Sequence, residues 1–291
     1  MNMLIRTAKE AIVQAGLAWK VAKRDVFFRG LDDIKEYDDA KAIVREDTEA
    51  VLGIVGKRYV PIQNEEVFSF LDSFVDSGDA FYKEANSYKA GRVISVDLSL
   101  TREDKHNVRV GDDIETLIRV ITSHDGSEKL HAKLVMNRLV CSNGMVRPHT
   151  CFAFSVKHTE GAKIAIENGR ELIEVARTFG AEMAEYARKM ASTWMTPEVT
   201  REYVNRVLGV KKDAETATRT KNKRDAILAL AVRGKGNNGR SLWDAYNGVT
   251  EYADHHISVR GENDRLTSSV LGAGLQLKER AYTTAQQFIH A

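Results

Sequence analysis

GRVISVDLSL, residues 91–100, decides the fold class. Ile94, Val96, Leu98 and Leu100 alternate there with Ser95, Asp97 and Ser99. A period of two belongs to a β-strand, and its polar half predicts an antiparallel sheet with one wet face. Downstream, DIETLIRVITS (113–123) and KLHAKLVMNRLV (129–140) flank HDGSE, whose Asp125-Gly126 is a strong hairpin signal. TCFAFSVKH (150–158) reads as a fourth strand, with Phe152, Phe154 and Val156 on one side.

The period then changes. Leu172, Val175, Ala176, Phe179, Met183, Tyr186, Ala187 and Met190 recur at spacings of three and four. That stripe predicts a long amphipathic helix wide enough to cover the apolar sheet face. Pro197 starts a new helix in TPEVTREYVNRVLG, and further helices are predicted at 241–256 and 274–288. Upstream, residues 2–19 are helical in spacing and AGLAWKVAKRDVFF (15–28) is extended. The acidic stretch Leu31–Asp39 reads as loop. VLGIVGKRYVPIQN (51–64) reads as a short hairpin or a strand and bend, and Asn64 as the N-cap of the helix NEEVFSFLDSFVDSG. The expected fold is α+β: an antiparallel sheet of three to five strands packed on a long helix, with a helical C-terminal region. Its parts are an N-terminal helix and extended segment (1–45), the sheet-and-helix core (46–195), and the helical region (196–291).

Composition excludes more than it identifies. The 291 residues carry 43 Lys+Arg against 41 Asp+Glu, a net charge of +2, with 43% hydrophobic and 29% charged residues. That is an ordinary globular balance, and overall charge announces no polyanion binder. Cys141 and Cys151 are too few for a disulfide framework or a four-cysteine zinc site. No apolar run approaches the roughly 20 residues that span a bilayer, and MNMLIRTAKEAIVQAG lacks the apolar core of a secretory signal. A cytoplasmic protein with no membrane partner, no cofactor and no metal is expected.

Charge is asymmetric only in residues 211–240. Lys211, Lys212, Arg219, Lys221, Lys223, Arg224, Arg233, Lys235 and Arg240 face only Asp213, Glu215 and Asp225, leaving the remainder net acidic. Lysines and arginines beside glycines in RGKGNNGR (233–240) can follow a phosphate backbone; a solvated linker would look the same. Gly234, Gly236 and Gly239 spell G-x-G-x-x-G, but no βαβ unit frames them and no Gly-Lys-Ser/Thr is present. A tight turn offering amides at the start of the next helix is the better reading. Arg119 and Lys133 would add cations on the wet sheet face, and Trp243 and Tyr246 could stack on bases. Asn247, Glu251 and His255 share a helix face with Trp243. They could grip a base or supply an enzyme's polar groups, or could tie a buried helix to the core, which is the commoner use. Cys141, with His149 or His158 near it, has the residue types of a thiol nucleophile, but a cysteine at a strand end is more often a small buried apolar residue.

Five ordered blocks carry a resemblance: residues 15–28, 52–72, LVCSNGM (139–145, containing Asn143), VKHT (156–159) and GRSLWDAYNGVTEYADHH (239–256). Together they resemble the phage- and plasmid-borne family catalogued as domain of unknown function nine hundred and thirty-two. The resemblance implies a mobile-element protein in a bacterial host cytoplasm and implies no activity. The order hairpin, helix, antiparallel strands, long helix is also similar to the core of Rad fifty-two-like single-strand annealing proteins. That architecture implies a homo-oligomer holding single-stranded DNA, without assigning residues. The expectation is therefore a protein that binds single-stranded DNA, with strand annealing as the further activity such binding could serve. The alternatives are a nucleic-acid or nucleotide-processing enzyme using Asn247, Glu251 and His255, and a protein-binding module directed at a host factor.

Overall fold

The structure is a computed structural model, described here over residues 7–101, 104–147, 155–156, 169–210, 217–259 and 262–289. In chain order its first elements are α1 (Ala8–Gln14), β1 (Val21–Arg29), β2 (Ile34–Arg45), β3 (Val51–Gly56), α2 (Asn64–Asp76), β4 (Ala80–Tyr88) and β5 (Val93–Leu100). Then come β6 (Lys105–Arg109), β7 (Asp112–Ser123), β8 (Leu130–Arg138), β9 (Asn143–Met145), β10 (Ser155–Val156) and α3 (Gly169–Ser192). The last are α4 (Pro197–Leu208), α5 (Thr218–Arg233), α6 (Leu242–Glu251), a π-helical turn (Tyr252–His256), α7 (Glu262–Leu271) and α8 (Ala273–Ile289). The α+β expectation holds, and the C-terminal region is helical.

The chain divides into two compact units. One comprises Met1–Thr101, Ile118–Lys133 and Cys151–Val175; the other comprises Arg102–Leu117, Leu134–Thr150 and Ala176–Ala291. One antiparallel sheet has the order β1-β2-β3 and lies in the first unit; the other follows the path β10-β8-β7-β5-β4, and its strands β7 and β8 are divided between the units. Residues 34–39, read as loop, are strand. They are the start of β2, and Ile34, Lys35 and Glu36 pair with Arg29, Phe28 and Phe27. β3 pairs only with Ala40–Val44, so the end of the β1-β2 hairpin is a two-stranded arm. The N-cap of α2 is Gln63, whose N–H donates to Glu66 Oε2 at 2.8 Å. Asn64 instead turns inward, donating to Leu17 O at 2.9 Å and meeting His124 Nε2 at 2.9 Å.

The wet sheet face does not exist on β5: all eight of its residues are buried. Its polar side chains are satisfied inside the protein. Ser95 Oγ lies 3.0 Å from Tyr88 Oη, Ser99 Oγ donates to Leu100 O, and Asp97 holds Arg119. An alternating pattern identifies a strand, but buried polar groups that find partners mimic a solvated face. Of the fourth strand, Ser155 and Val156 pair with His131 and Leu130 as β10; Phe152 and Phe154 lie outside the described residues.

In the second unit β6 pairs with β7 and β9 with β8, both antiparallel. Ala176, Phe179, Met183, Ala187 and Met190 are buried along α3 as the stripe predicts, while Val175 is 38% exposed. Helix and strands approach closely at Gly180, where a Cβ would stand 2.3 Å from Thr116 Oγ1 and 3.0 Å from His106 Nε2. Only glycine lets the helix backbone come so near. α4 opens at Thr196, with Pro197 in its first turn, and closes on Gly209 in the left-handed region at φ 69°.

Candidate nucleic-acid interface

The glycine loop 234–240 closes over a buried ion-pair network in the second unit. Arg138, 0% exposed, donates from Nε to Asp112 Oδ1 at 2.6 Å and from NH2 to Asp112 Oδ2 at 2.5 Å. Its remaining donors reach Asn237 Oδ1 at 2.8 Å and the Gly236 carbonyl at 3.0 Å. Trp243 Nε1 donates to Asp112 Oδ2 at 2.8 Å. Arg109 bridges Asp112, at 3.2 Å, and Asp244, at 2.6 Å. Burial works to raise the Asp112 carboxyl. The Arg138 and Trp243 hydrogen bonds and the two guanidinium charges outweigh it, holding Asp112 below the usual carboxylate range.

This network accounts for the glycines. Gly236 has φ 74°, and a Cβ there would lie 2.8 Å from Arg138 NH2 and 2.9 Å from Val140 Cγ1. At Gly234 a Cβ would stand 2.3 Å from Glu251 Oε2. The loop folds as a clasp on side chains rather than as a cradle for a cofactor. The expected free amides are also taken. Asp244 Oδ2 accepts from the N–H groups of Arg240 and Ser241 at 3.1 and 3.2 Å, and Ser241 Oγ accepts from Asp244 N. A carboxylate already occupies the start of α6, where an anion would have gone.

The cations of the segment divide into two groups. Arg219, Lys221, Arg233, Lys235 and Arg240 are exposed. Lys223 and Arg224 are half-buried: Lys223 Nζ lies 5.5 Å from the Tyr252 ring centroid, and Arg224 pairs with Asp225 at 3.5 Å. Burial, with Arg280 and Arg219 adding like charge, pushes the Lys223 ammonium down from its ordinary value. Between residues 217 and 240, Asp225 alone opposes the seven cations from Arg219 to Arg240. Lys211 and Lys212 lie outside the described residues.

The structure corrects three of the expected contact residues, Arg119, Trp243 and Tyr246. Arg119 is bound at both ends to Asp97, at 2.7 and 2.5 Å, so its charge is already neutralised inside the first unit. Burial lowers its pKa and Asp97 more than reverses this, for a net rise. Lys133 is half-buried on β8, near enough to His131 to depress its pKa. Trp243 and Tyr246 are 0% exposed and cannot stack on a base. Their aromatic faces fill the core that the clasp closes, and Arg138 sits 5.5 Å from the Trp243 ring centroid.

The aromatic that sequence reading passed over is Trp194, 68% exposed just past the end of α3. It forms an antiparallel bridge with Ser241, and the Met195 N–H donates to Arg240 O at 3.1 Å. An exposed indole is thereby held beside the cationic loop. Its only sequence signal was position: the residue lies two before the Thr196–Pro197 helix start, in a short connection.

The family-signature polar residues are brought together, but inward. Asn143, Asn247 and Glu251 are all buried, which favours the core-tying use of this helix face. His255, exposed in the π turn, meets Asn143 Oδ1 through Nε2 at 3.1 Å. Asn247 Nδ2 donates to the Trp243 carbonyl at 2.8 Å. Asn143 Nδ2, Asn247 Oδ1 and Glu251 Oε2 have no hydrogen-bond partner among the described residues. Cys141 is buried too, and burial pushes its thiol up, away from thiolate chemistry. His149 and His158 lie outside the described residues. Among the described residues, no group of three or more His, Cys, Asp or Glu side chains is placed to hold a metal ion. Nor is any described helix long and apolar enough to cross a membrane.

No curated protein and no solved structure matches the chain. A family model does, over residues 51–270, a span that runs from β3 into α7 and holds the clasp, the basic helix and the buried Asn143–Asn247–Glu251 set. The chain belongs to the family described as a domain of unknown function, DUF932.

Proposed function

We propose that this protein binds single-stranded nucleic acid, single-stranded DNA foremost, on the face formed by the 234–240 loop. Phosphates lie along Lys221, Arg233, Lys235 and Arg240, and a base stacks on Trp194. The observation that carries this reading is the bridge between Trp194 and Ser241, which fixes an exposed indole next to an exposed arginine in the most cationic part of the chain. A charged track supplies sequence-independent affinity, and an aromatic platform beside it favours unpaired bases over duplex. The half-buried Lys223 and Arg224 contribute positive potential behind the track.

Titrating the protein with an oligothymidylate tests the reading. Trp19 and Trp243 are buried, so quenching of exposed tryptophan fluorescence reports Trp194. Binding is expected to weaken steeply with salt. Trp194→Ala is expected to cost about 1–3 kcal/mol, roughly 5- to 150-fold in Kd. Absence of binding at low salt, or binding indifferent to salt, overturns the proposal.

A further inference from the structure

We infer that the β1-β2 arm of one copy docks on the loop face of a second copy, making a head-to-tail assembly. Phe27 and Phe28 are sequence neighbours on a strand, so they point to opposite faces, yet they are 58% and 50% exposed. Neither face of the arm is covered. Leu31 and Ile34 are 102% and 75% exposed at its tip, and Tyr37 is exposed on β2. A two-stranded ribbon is marginal alone, and so much exposed apolar side chain on one marks a contact surface.

Charge selects the partner. Residues 30–39 carry Asp32, Asp33, Glu36, Asp38 and Asp39 with Lys35, and Lys41 and Lys57 pair with Glu36 and Asp39, so the net negative charge rests on Asp32, Asp33 and Asp38. Two such tips repel each other, which disfavours arm-on-arm pairing. The complement lies in the second unit. Val140 and Val232 pack near Gly236 and Gly239 of the loop and remain 38% and 53% exposed. Trp194 adjoins them through Ser241, and Arg233 and Lys235 supply the positive charge. An apolar acidic arm and an apolar basic face sit on every copy, so the contact joins two different patches and propagates as a ring or a filament. The inference goes beyond the nucleic-acid reading and does not need it; because both use the loop face, a docked arm and a bound strand compete for it.

Sedimentation velocity of the full chain, over about two decades of concentration around the micromolar range, tests it. Concentration-dependent association is expected. The double variant Leu31→Ser, Ile34→Ser alters only exposed side chains and is expected to raise the association Kd about tenfold or more. Asp32→Lys with Asp33→Lys is expected to abolish association, and adding Arg233→Glu with Lys235→Glu to restore it. A wild-type protein that stays monomeric, arm variants that associate normally, or a charge swap that fails to restore association each overturn the inference. The Leu31→Ser, Ile34→Ser variant is also titrated with oligothymidylate. Binding without any wild-type association defeats only the docking inference; association without binding defeats only the nucleic-acid reading.

Discussion

Arg138 and Asp112 meet two-to-two: Nε and NH2 of the guanidinium each donate to a separate carboxylate oxygen, and both side chains are buried. Around this pair the 234–240 loop, Trp243 and Arg109 converge. Such a pair is weak grounds for net stability, since desolvating two charges is costly, but removing one partner strands the other.

Arg138→Met is therefore expected to destabilise the protein by about 3–5 kcal/mol, read as a lower urea midpoint. Asp112→Leu alone is expected to cost a similar amount. The double variant Arg138→Met, Asp112→Leu is expected to cost clearly less than the sum, because no buried charge is left without its partner. Full additivity would show that the pair acts as two independent groups.

Gly236 and Gly209 separate backbone strain from steric conflict. Both have positive φ, 74° and 69°, but nothing lies within 4 Å of a Cβ built on Gly209, whereas one on Gly236 meets Arg138 and Val140. Gly209→Ala is expected to cost about 1 kcal/mol, the price of the left-handed conformation alone. Gly236→Ala is expected to cost at least about 2 kcal/mol, as the added contact disturbs the Arg138 pair. Thermal melts of the two variants check the difference.

His131 is buried, and burial, helped by the nearby Lys133 and Lys129 charges, pushes its pKa down to about 4. The unfolded chain protonates this histidine near its ordinary pH of about 6.5, the folded one only near 4, so the unfolded state binds more protons in between. Stability therefore falls as pH drops from about 6.5 towards 4, with about 2.5 kcal/mol lost by pH 4.5 from this residue. His131→Gln is expected to flatten urea-midpoint stability across that window. An equally steep slope in the variant would assign the effect elsewhere.

Arg233→Glu and Lys235→Glu are each expected to reduce the slope of log K against log salt by about 0.7, one single-strand phosphate contact apiece. Arg119→Gln is expected to leave that slope unchanged and to destabilise the first unit instead, since its partner Asp97 is buried. Equilibrium titrations at three salt concentrations distinguish the two behaviours.

What was legible follows from what periodicity encodes. The alternation in GRVISVDLSL and the α3 stripe are one-dimensional records of burial, and both elements form where the pattern puts them. The same alternation misled about exposure, because Ser95 and Asp97 read as polar whether they meet water or meet Tyr88 and Arg119. Trp243 was read as exposed for a related reason: a helical aromatic beside Asn247 looks like a functional face, whereas Trp194, the indole that is exposed, stands in a short connection with no pattern around it. Residues 34–39 read as loop because acidic side chains are uncommon in strands; an arm with no covering layer tolerates them. The Arg138–Asp112 pair joins residues far apart in sequence and leaves no local periodic trace.

The π turn at Tyr252–His256 has a consequence for length. It holds one residue more than an α turn would, and from within it Asp254 accepts from Gly144 N at 2.8 Å and from Lys278 Nζ at 2.6 Å, while Lys278 itself is nearly inaccessible to solvent. Deleting a single residue there would close the π turn to an α turn, and Asp254 would lose the widened backbone that carries it. The carboxylate would swing off the ammonium, which would then be enclosed with no counter-charge. Chain length at this point and the identity of residue 278 are thus one constraint.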